Sequence, residues 1–446
     1  MSAANDRRPT TTLLLTIDKL IYGGNGLARL PADDKGPGKA VFLPFVLEGE
    51  RVEAEVTEHK PGFARARPEK ILEASPHRVE PACPYFGQCG GCHYQHASYE
   101  HQLEIKSAVL RETLRRVAKL ELAQEIRVHH SPPWNYRNRT RLRVRTHPFV
   151  LGYNRLRWSE LLAVEQCPIS SPLINRAIAA LWELGRADKV VADVREIEFF
   201  ANADDTSLLA ELTVQEAGWR HGGRSDLAQF VDALRAAVPE IAGVAVFHAV
   251  GPGEVEIEGI PAELRETFGA QHLLYATANA SFHVSAGSFF QTNRFLIDEL
   301  VDLARGNRSG DYAFDLYAGT GLFSVALAKR FREVRAVESS PFSFHDLTRN
   351  CPQNVRLYQE SVEDFLGEAE VDLVVVDPPR AGLGQRVAGL LAATGTPRIT
   401  YVSCDPATLA RDLVVLMASG YRIEEMHLVD LFPQTFHIES VFQLVR

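Results

Sequence analysis

Residues 314–324 read FDLYAGTGLFS. The stretch opens as the apolar end of a strand, turns at Gly319-Thr320-Gly321 and enters a helix. Glycines at such a turn let a ligand approach the backbone closely. A dinucleotide fingerprint would place a third glycine where Ser324 stands, which tilts the reading from a nicotinamide cofactor toward S-adenosylmethionine. From residue 286 onward the alternation of strand and helix continues. VRAVE (334–338), VDLVVVDPP (371–379), RITYVSCDP (398–406) and SVFQLVR (440–446) follow in turn. This pattern predicts a parallel, doubly wound α/β sheet. Glu338 ends the second strand, where a carboxylate can accept hydrogen bonds from ribose hydroxyls.

Two further strand ends carry chemistry. Asp377 closes a fully apolar strand and is followed by Pro378, Pro379 and Arg380. The prolines stiffen an acceptor loop. Enzymes that methylate exocyclic amines carry an aromatic where Arg380 stands, and RNA cytosine-5 methyltransferases carry a cysteine in this loop; neither is present here. Cys404 ends the next strand, before Asp405, a good N-cap, and Pro406, a good first helical residue. A thiol near a helix N-terminus is expected to lean toward thiolate. Uracil C5 is a poor nucleophile, and thiolate addition at C6 makes it enolate-like, which is covalent catalysis of a hard methyl transfer. The C5 proton must then leave to a base. Glu439, in FPQTFHIESV, is the candidate, with His437 as its rival.

Upstream, eight arginines and no Asp or Glu lie from Arg127 to Arg157. Arg137, Arg139, Arg141, Arg143 and Arg145 alternate, so a strand would carry them on one face. Such a row suits a polyanion, and Trp134, Tyr136, Phe149 and Tyr153 stand by to stack on bases. The plainer reading is a solvated strand face with carboxylate partners elsewhere in the fold. Cys83, Cys89 and Cys92 lie within CPYFGQCGGC, and Cys167 is the natural fourth ligand. Four thiolates suit either zinc or an iron–sulfur cluster, and spacing does not separate the two.

Residues 11–70 have short strand-like runs with turn chemistry at YGGNG (22–26) and DDKGPGK (33–39), which predicts a small β-barrel. A helical stripe of Leu103, Val109, Leu110, Leu114 and Val117 follows a Pro-punctuated connector. The chain has 446 residues, 46% of them hydrophobic, and a net charge of −9. That length predicts two to four domains. The charge argues against bulk attraction to nucleic acid but not against a local basic surface. No apolar run approaches the roughly 20 residues of a membrane helix. No signal-like segment opens the chain, so a cytoplasmic protein is expected.

Taken together, these residues resemble the RNA uracil-5-methyltransferases, in particular the 23S rRNA (uracil-5-)-methyltransferases that carry an iron–sulfur cluster. The resemblance covers nearly the whole chain. YGGNGLAR through FARARPEKI looks like a TRAM domain, an OB-like RNA-binding barrel. CPYFGQCGGCHYQH with Cys167 resembles the cluster motif, which implies [4Fe–4S] rather than zinc. SFFQTN implies a cofactor contact by Gln291, and Tyr317, Glu338 and Asp377 match the other cofactor positions. SCDP implies Cys404 as nucleophile, and HIE implies Glu439 as base. Leu322 departs from members with asparagine there, putting one cofactor hydrogen bond in doubt. The expected architecture is a TRAM barrel over 1–72, a central α+β iron–sulfur domain with the basic strand over 73–285, and a Rossmann-like catalytic domain over 286–446. The helical segment near 98–124 is implied to pack on the catalytic domain. Structured RNA is the implied partner, 23S rRNA first and the tRNA T-loop second, with a monomer as the default. A non-catalytic RNA-binding iron–sulfur protein is the alternative of another class.

Overall fold

The computed structural model describes residues 12–30, 38–122, 124–215, 223–249, 262–367 and 370–446. Thr12–Ile21, Asn25–Arg29, Ala40–Pro44, Arg51–His59 and Phe63–Glu73 close into a five-stranded barrel. Its core is the alternate face of the strands: Leu15 and Ile17, then Val41 and Leu43, then Val52 and Ala54. A bulge between Ile17 and Lys19 shifts the register, and Leu20, out of strict alternation, is buried outside the barrel core in the cluster of Tyr94, Ile105 and Leu110. The expected turn at 33–39 lies largely outside the described residues.

A seven-stranded sheet follows, in the order Ala262–Gly269, Ile241–Ala249, Leu208–Val214, Val194–Ala201, Arg139–Thr146, Phe149–Asn154, Leu161–Ala163. One face buries Ile197, Phe199, Leu208 and Leu212 against the helices Pro172–Arg186 and Gly223–Ala237. The other face carries the basic strand. Its arginines are not a bare row: Arg141 stands opposite Glu198, Arg143 opposite Glu196 and Arg139 opposite Phe200. Glu198 Oε2 accepts from Arg141 at 2.8 Å, its Oε1 lies 3.4 Å from Arg139, and the Arg139 guanidinium sits 4.4 Å over the Phe200 ring. Cross-strand carboxylates therefore relieve the repulsion that a polyanion was expected to relieve. The flanking aromatics differ too. Tyr136 is buried, with its hydroxyl donating to Pro433 O at 3.1 Å, and Phe149 packs edge-on against Trp182.

The last sheet runs Val355–Tyr358, Phe331–Val337, Gly310–Leu316, Leu373–Val376, Arg398–Ser403, Glu439–Val445, Arg422–Val429, Arg127–His129. The first five strands are parallel. Strand order reverses between Gly310–Leu316 and Leu373–Val376, so a crevice opens there at the carboxyl ends of the strands. Glu439–Val445 inserts antiparallel between Arg398–Ser403 and Arg422–Val429.

The linear division of the chain is crossed in two places. Arg127–His129 completes the edge of this sheet. The hairpin His272–Ala276/Ser281–Ser285 shares a core with Phe323 and Leu327. The helix Tyr99–Thr113 also packs here, with Ile105, Val109 and Leu110 in one cluster with Leu409, Leu413 and Leu416. A π-turn at Leu114–Ala118 ends that helix. It breaks the 3.6-residue register, and so Val117, read as part of the apolar stripe, is 46% exposed.

Lys106 lies inside this contact, 1% exposed, and donates to Asp430 Oδ1 at 2.5 Å and Phe432 O at 2.9 Å. Burial pulls its pKa down while Asp430 opposes that pull. Removing one member of a buried pair strands the other charge, at about 3–5 kcal/mol. Lys106→Ala is therefore expected to lower the unfolding free energy by that amount, read as a lower denaturant midpoint at an unchanged m-value. A variant as stable as the parent would show that the pair contributes nothing net.

Candidate active site

The carboxyl ends of four parallel strands meet at the strand-order reversal. Leu316 pairs with Val337 on one side and Val376 on the other, and Val376 pairs with Tyr401. Tyr317, Glu338 and Asp377 therefore emerge side by side, with Cys404 three residues beyond Tyr401. Tyr317 takes a left-handed φ of 64°, which turns the chain sharply into Gly319. At Gly319 (φ +56°) an added Cβ would meet nothing within 4 Å, so the turn is open for a ligand. Glu338 is held at the turn: Gly319 N donates to its Oε2 at 2.9 Å and Ser340 N to its Oε1 at 2.6 Å. Ser324, standing where a third glycine was sought, donates to Asp315 Oδ2 at 2.5 Å. The other oxygen of Asp315 is buried without a partner among the described residues.

The antiparallel insertion brings the ends of two strands together. The ladder ends with Ser403 paired to Ser440, so Cys404 and Glu439 flank the same end of it, and the Glu439 carboxylate is near enough to act on the Cys404 thiol. Glu439 is buried and its Oε1 has no partner among the described residues. Asp377 stands beside this pair and accepts a long hydrogen bond, 3.5 Å, from Gln291 Nε2.

The electrostatics correct one expectation. The Cys404 thiol does not lean toward thiolate: burial pushes it up to about 12, reinforced by the carboxylates of Glu439 and Asp377 and opposed by Arg380. The helix dipole is already spent on Asp405, whose Oδ1 accepts from Ala407 N at 2.9 Å and Thr408 N at 3.0 Å. Burial and Asp377 hold Glu439 well above the usual carboxylate range. Burial and Asp315 raise Asp377 to about 7. Asp315 itself is raised to about 7, by burial and then by Glu338. Among the described residues, Arg380 acts on the Cys404 thiol, but no cation offsets the upward shifts of Asp315, Asp377 and Glu439. His437 is driven the other way, to about 3, by burial and then by Arg380 and His93, so it is a feeble proton acceptor.

The four cysteines line a separate cavity of about 260 Å³, with Tyr85, Phe86 and Tyr153 among its walls. Burial raises the Cys83 and Cys92 thiols and takes Cys89 to about 11, and the proximity of Cys167 adds to each shift. Among the described residues, no three His, Cys, Asp or Glu side chains are grouped closely enough to hold a metal ion.

Comparison with known proteins settles the family. The family model of tRNA (Uracil-5-)-methyltransferase matches residues 98–368 and 346–446, and that of the TRAM domain matches residues 7–68. The chain belongs to the tRNA (uracil-5-)-methyltransferase family. It is 32% identical to an uncharacterized RNA methyltransferase of Aquifex aeolicus, covering 96% of this chain and 97% of that one. It is 31% identical to the 23S rRNA (uracil(1939)-C(5))-methyltransferase of Alkalilimnicola ehrlichii, covering 99% of both. The Pyrococcus abyssi tRNA (uracil-54, C5)-methyltransferase, solved with S-adenosyl-L-homocysteine, shares the fold at a TM-score of 0.75 and 24% identity, over 97% of this chain and 100% of that one.

In this uracil-5-methyltransferase, the sequence reading missed what other parts of the chain bring to the pocket. Tyr22, at the first turn of the barrel, packs edge-on against Phe436 at 5.5 Å, and its hydroxyl faces Asp405, beside Cys404. Gln434, at a left-handed φ of 69°, accepts at its carbonyl from His93 N (2.8 Å) and Tyr94 N (3.0 Å). The loop that leads to Glu439 is therefore gripped by the segment that follows Cys92. A tyrosine in a barrel turn and two backbone amides carry no motif that would have announced them. Among the described residues, no helix is long and apolar enough to cross a membrane.

Proposed function

We propose that the protein methylates C5 of a uridine in 23S rRNA, using S-adenosylmethionine. The observation that carries this reading is the placement of Cys404 and Glu439 at the same end of one strand ladder, with the charges of Glu439 and Asp377 close to the Cys404 thiol. The residues fit the cofactor: a glycine turn with open space, a carboxylate fixed at that turn, and buried carboxyls whose upward shifts no cation among the described residues offsets. Gln291, Tyr317, Glu338 and Asp377 would hold it. Bound S-adenosylmethionine supplies an electrophilic methyl group on a sulfonium. Cys404, once its thiol has lost its proton to solvent, bonds through Sγ to C6 of the uracil as the thiolate, and the displaced π electrons make C5 nucleophilic. Once C5 carries the methyl group, Glu439 takes its proton. The electrons of that C–H bond restore the C5=C6 bond and expel the Cys404 thiolate. The target uridine must leave its stack to reach these groups.

The proposal extends to the rest of the chain. Cys83, Cys89, Cys92 and Cys167 would hold a [4Fe–4S] cluster. The resemblance of CPYFGQCGGCHYQH with Cys167 to the cluster motif supports this, and the four cysteines line one cavity of about 260 Å³. The barrel, residues 1–72, and the basic strand of the central region, residues 73–285, would contact RNA. Residues 286–446 would carry the chemistry. The protein would act as a cytoplasmic monomer. The tRNA T-loop remains the second substrate reading, favoured by the likeness in fold to a tRNA enzyme.

Incubation of anaerobically purified protein with methyl-labelled S-adenosylmethionine and separated unmethylated tRNA, 16S and 23S rRNA tests the reading. The expected product is labelled 5-methyluridine in 23S RNA. Label in tRNA would keep the chemistry and overturn the substrate. Label on cytidine would overturn the reading of the acceptor loop. No transfer to any RNA would leave the non-catalytic RNA-binding alternative in its place.

A further inference from the structure

The loop between the strands Phe149–Asn154 and Leu161–Ala163 carries the sequence Arg155-Leu156-Arg157-Trp158-Ser159-Glu160. Trp158 is 73% exposed, the most exposed of the large hydrophobic side chains described. A lone exposed apolar residue is ordinary. Here the loop beneath it is held rigidly. Arg155 N donates to Glu160 O at 2.8 Å and Trp158 N to Arg155 O at 3.1 Å, closing the turn. Leu156 N donates to Gln88 O at 2.7 Å and Gly90 N to Asn154 O at 3.2 Å, which ties the loop to the cysteine segment. Arg157, in a left-handed conformation at φ 63°, donates to Asn25 Oδ1 of the barrel at 2.9 Å. The structure thus fixes both sides of the loop and leaves the indole in solvent.

The surroundings are basic. Arg157 and Arg65 are close enough for their cations to repel. Arg155 pairs with Glu160, while Arg65 and Lys60 share Glu58. Arg155, Arg157, Arg65 and Lys60 therefore face two carboxylates, Glu160 and Glu58, which leaves net positive charge beside the loop that carries Trp158. Aromatic rings set in basic grooves are how proteins hold unpaired bases and their phosphates. The patch is also close to the chemistry. Asn25, which anchors Arg157, belongs to the same barrel hairpin as Tyr22, whose hydroxyl faces Asp405 next to Cys404.

We propose that Trp158 is a stacking platform for an unpaired base of the substrate RNA that neighbours the methylated uridine, with Arg155, Arg157 and Arg65 receiving its phosphates. This rests on the RNA substrate proposed above. The target uridine itself goes to Cys404, so Trp158 acts on binding and not on the chemical step.

The test uses the full-length protein with Trp158→Ala, Trp158→Phe and Arg65→Ala, and an unmethylated RNA hairpin that the parent protein methylates. Trp158→Ala is expected to raise Kd and KM by about 5- to 150-fold, the range for loss of one base stack. Its kcat and its salt dependence of binding should stay at parental values. Trp158→Phe should recover most of the loss. Arg65→Ala should instead lower the slope of log K against log salt by about 0.7–0.9, the contribution of one phosphate contact. An abasic scan of the hairpin should find one position at which the parent and Trp158→Ala become equal. Parental Kd and KM in Trp158→Ala, with the parent active, would overturn the assignment of Trp158 alone. A parent that neither binds nor methylates any RNA would overturn the assignment together with the function on which it rests.

Discussion

Cys404→Ala is expected to lose turnover by about four orders of magnitude or more while retaining its affinity for S-adenosylmethionine. Removing a covalent nucleophile leaves only binding and orientation to act on the reaction. The substitution should be quiet elsewhere. Cys404 is half-buried at the end of its strand, and the neighbouring helix is capped by Asp405 through its own carboxylate. The proposed cofactor contacts, Gln291, Tyr317, Glu338 and Asp377, come from other strands and loops. Burial and the neighbouring carboxylates push the thiol up to about 12, so it is held protonated at neutral pH. The free pocket therefore does not store a reactive group. Cationic charge arriving beside Asp377 and Glu439 would offset the part of the upward shift that these carboxylates cause and act with Arg380 to favour thiolate, with burial still opposing it. The decisive measurements are single-turnover methyl transfer and calorimetric cofactor binding on the same preparation. Transfer within tenfold of the parent would mean that the methyl group moves without a thioether to C6. Loss of cofactor affinity alongside transfer would mean that Cys404 shapes the cofactor pocket.

The catalytic half was legible for a physical reason. In an open parallel sheet the carboxyl ends of the strands gather on one side. Motifs that end strands, such as those at Tyr317, Glu338, Asp377 and Cys404, must therefore converge whatever the loops do. The nearness of Glu439 to Cys404 is of another kind. It depends on Glu439–Val445 inserting antiparallel beside Arg398–Ser403, and strand order does not show in a local pattern. The same holds for Arg127–His129 at the sheet edge, and for Lys106 against Asp430, which meet across 324 residues. The arginine row shows both sides of the lesson. Its two-residue period was readable and the strand exists, yet its partner Glu198 lies 57 residues from Arg141, and only the sheet brings them together. The thiol was misjudged because a helix dipole is easy to see in sequence. Burial, and two carboxylates from other strands, are not.

Glu439→Gln should lower kcat by about 10²–10⁴-fold and accumulate a covalent protein–RNA species that survives denaturing electrophoresis. Glutamine keeps the shape of the side chain and can still donate a hydrogen bond, but it cannot accept the C5 proton. Addition of Cys404 and methylation of C5 proceed, and the elimination that frees the product does not. The geometry favours Glu439 for this step because its carboxylate is near enough to act on the Cys404 thiol, and its Oε1 is buried and has no partner among the described residues. His437 is no substitute, since burial and nearby cations hold it near 3, far below the pH at which it must take a proton. The pH dependence has a definite sign. A base acts in its ionised form, and burial and Asp377 raise the Glu439 carboxyl above its ordinary value. Single-turnover product release in the parent should therefore rise with pH through that raised value. The same rise should be absent from Glu439→Gln, whose side chain does not titrate. A Glu439→Gln protein that turns over at the parental rate without an adduct would place the base elsewhere. An adduct that forms but carries no methyl group would assign Glu439 to the transfer step itself.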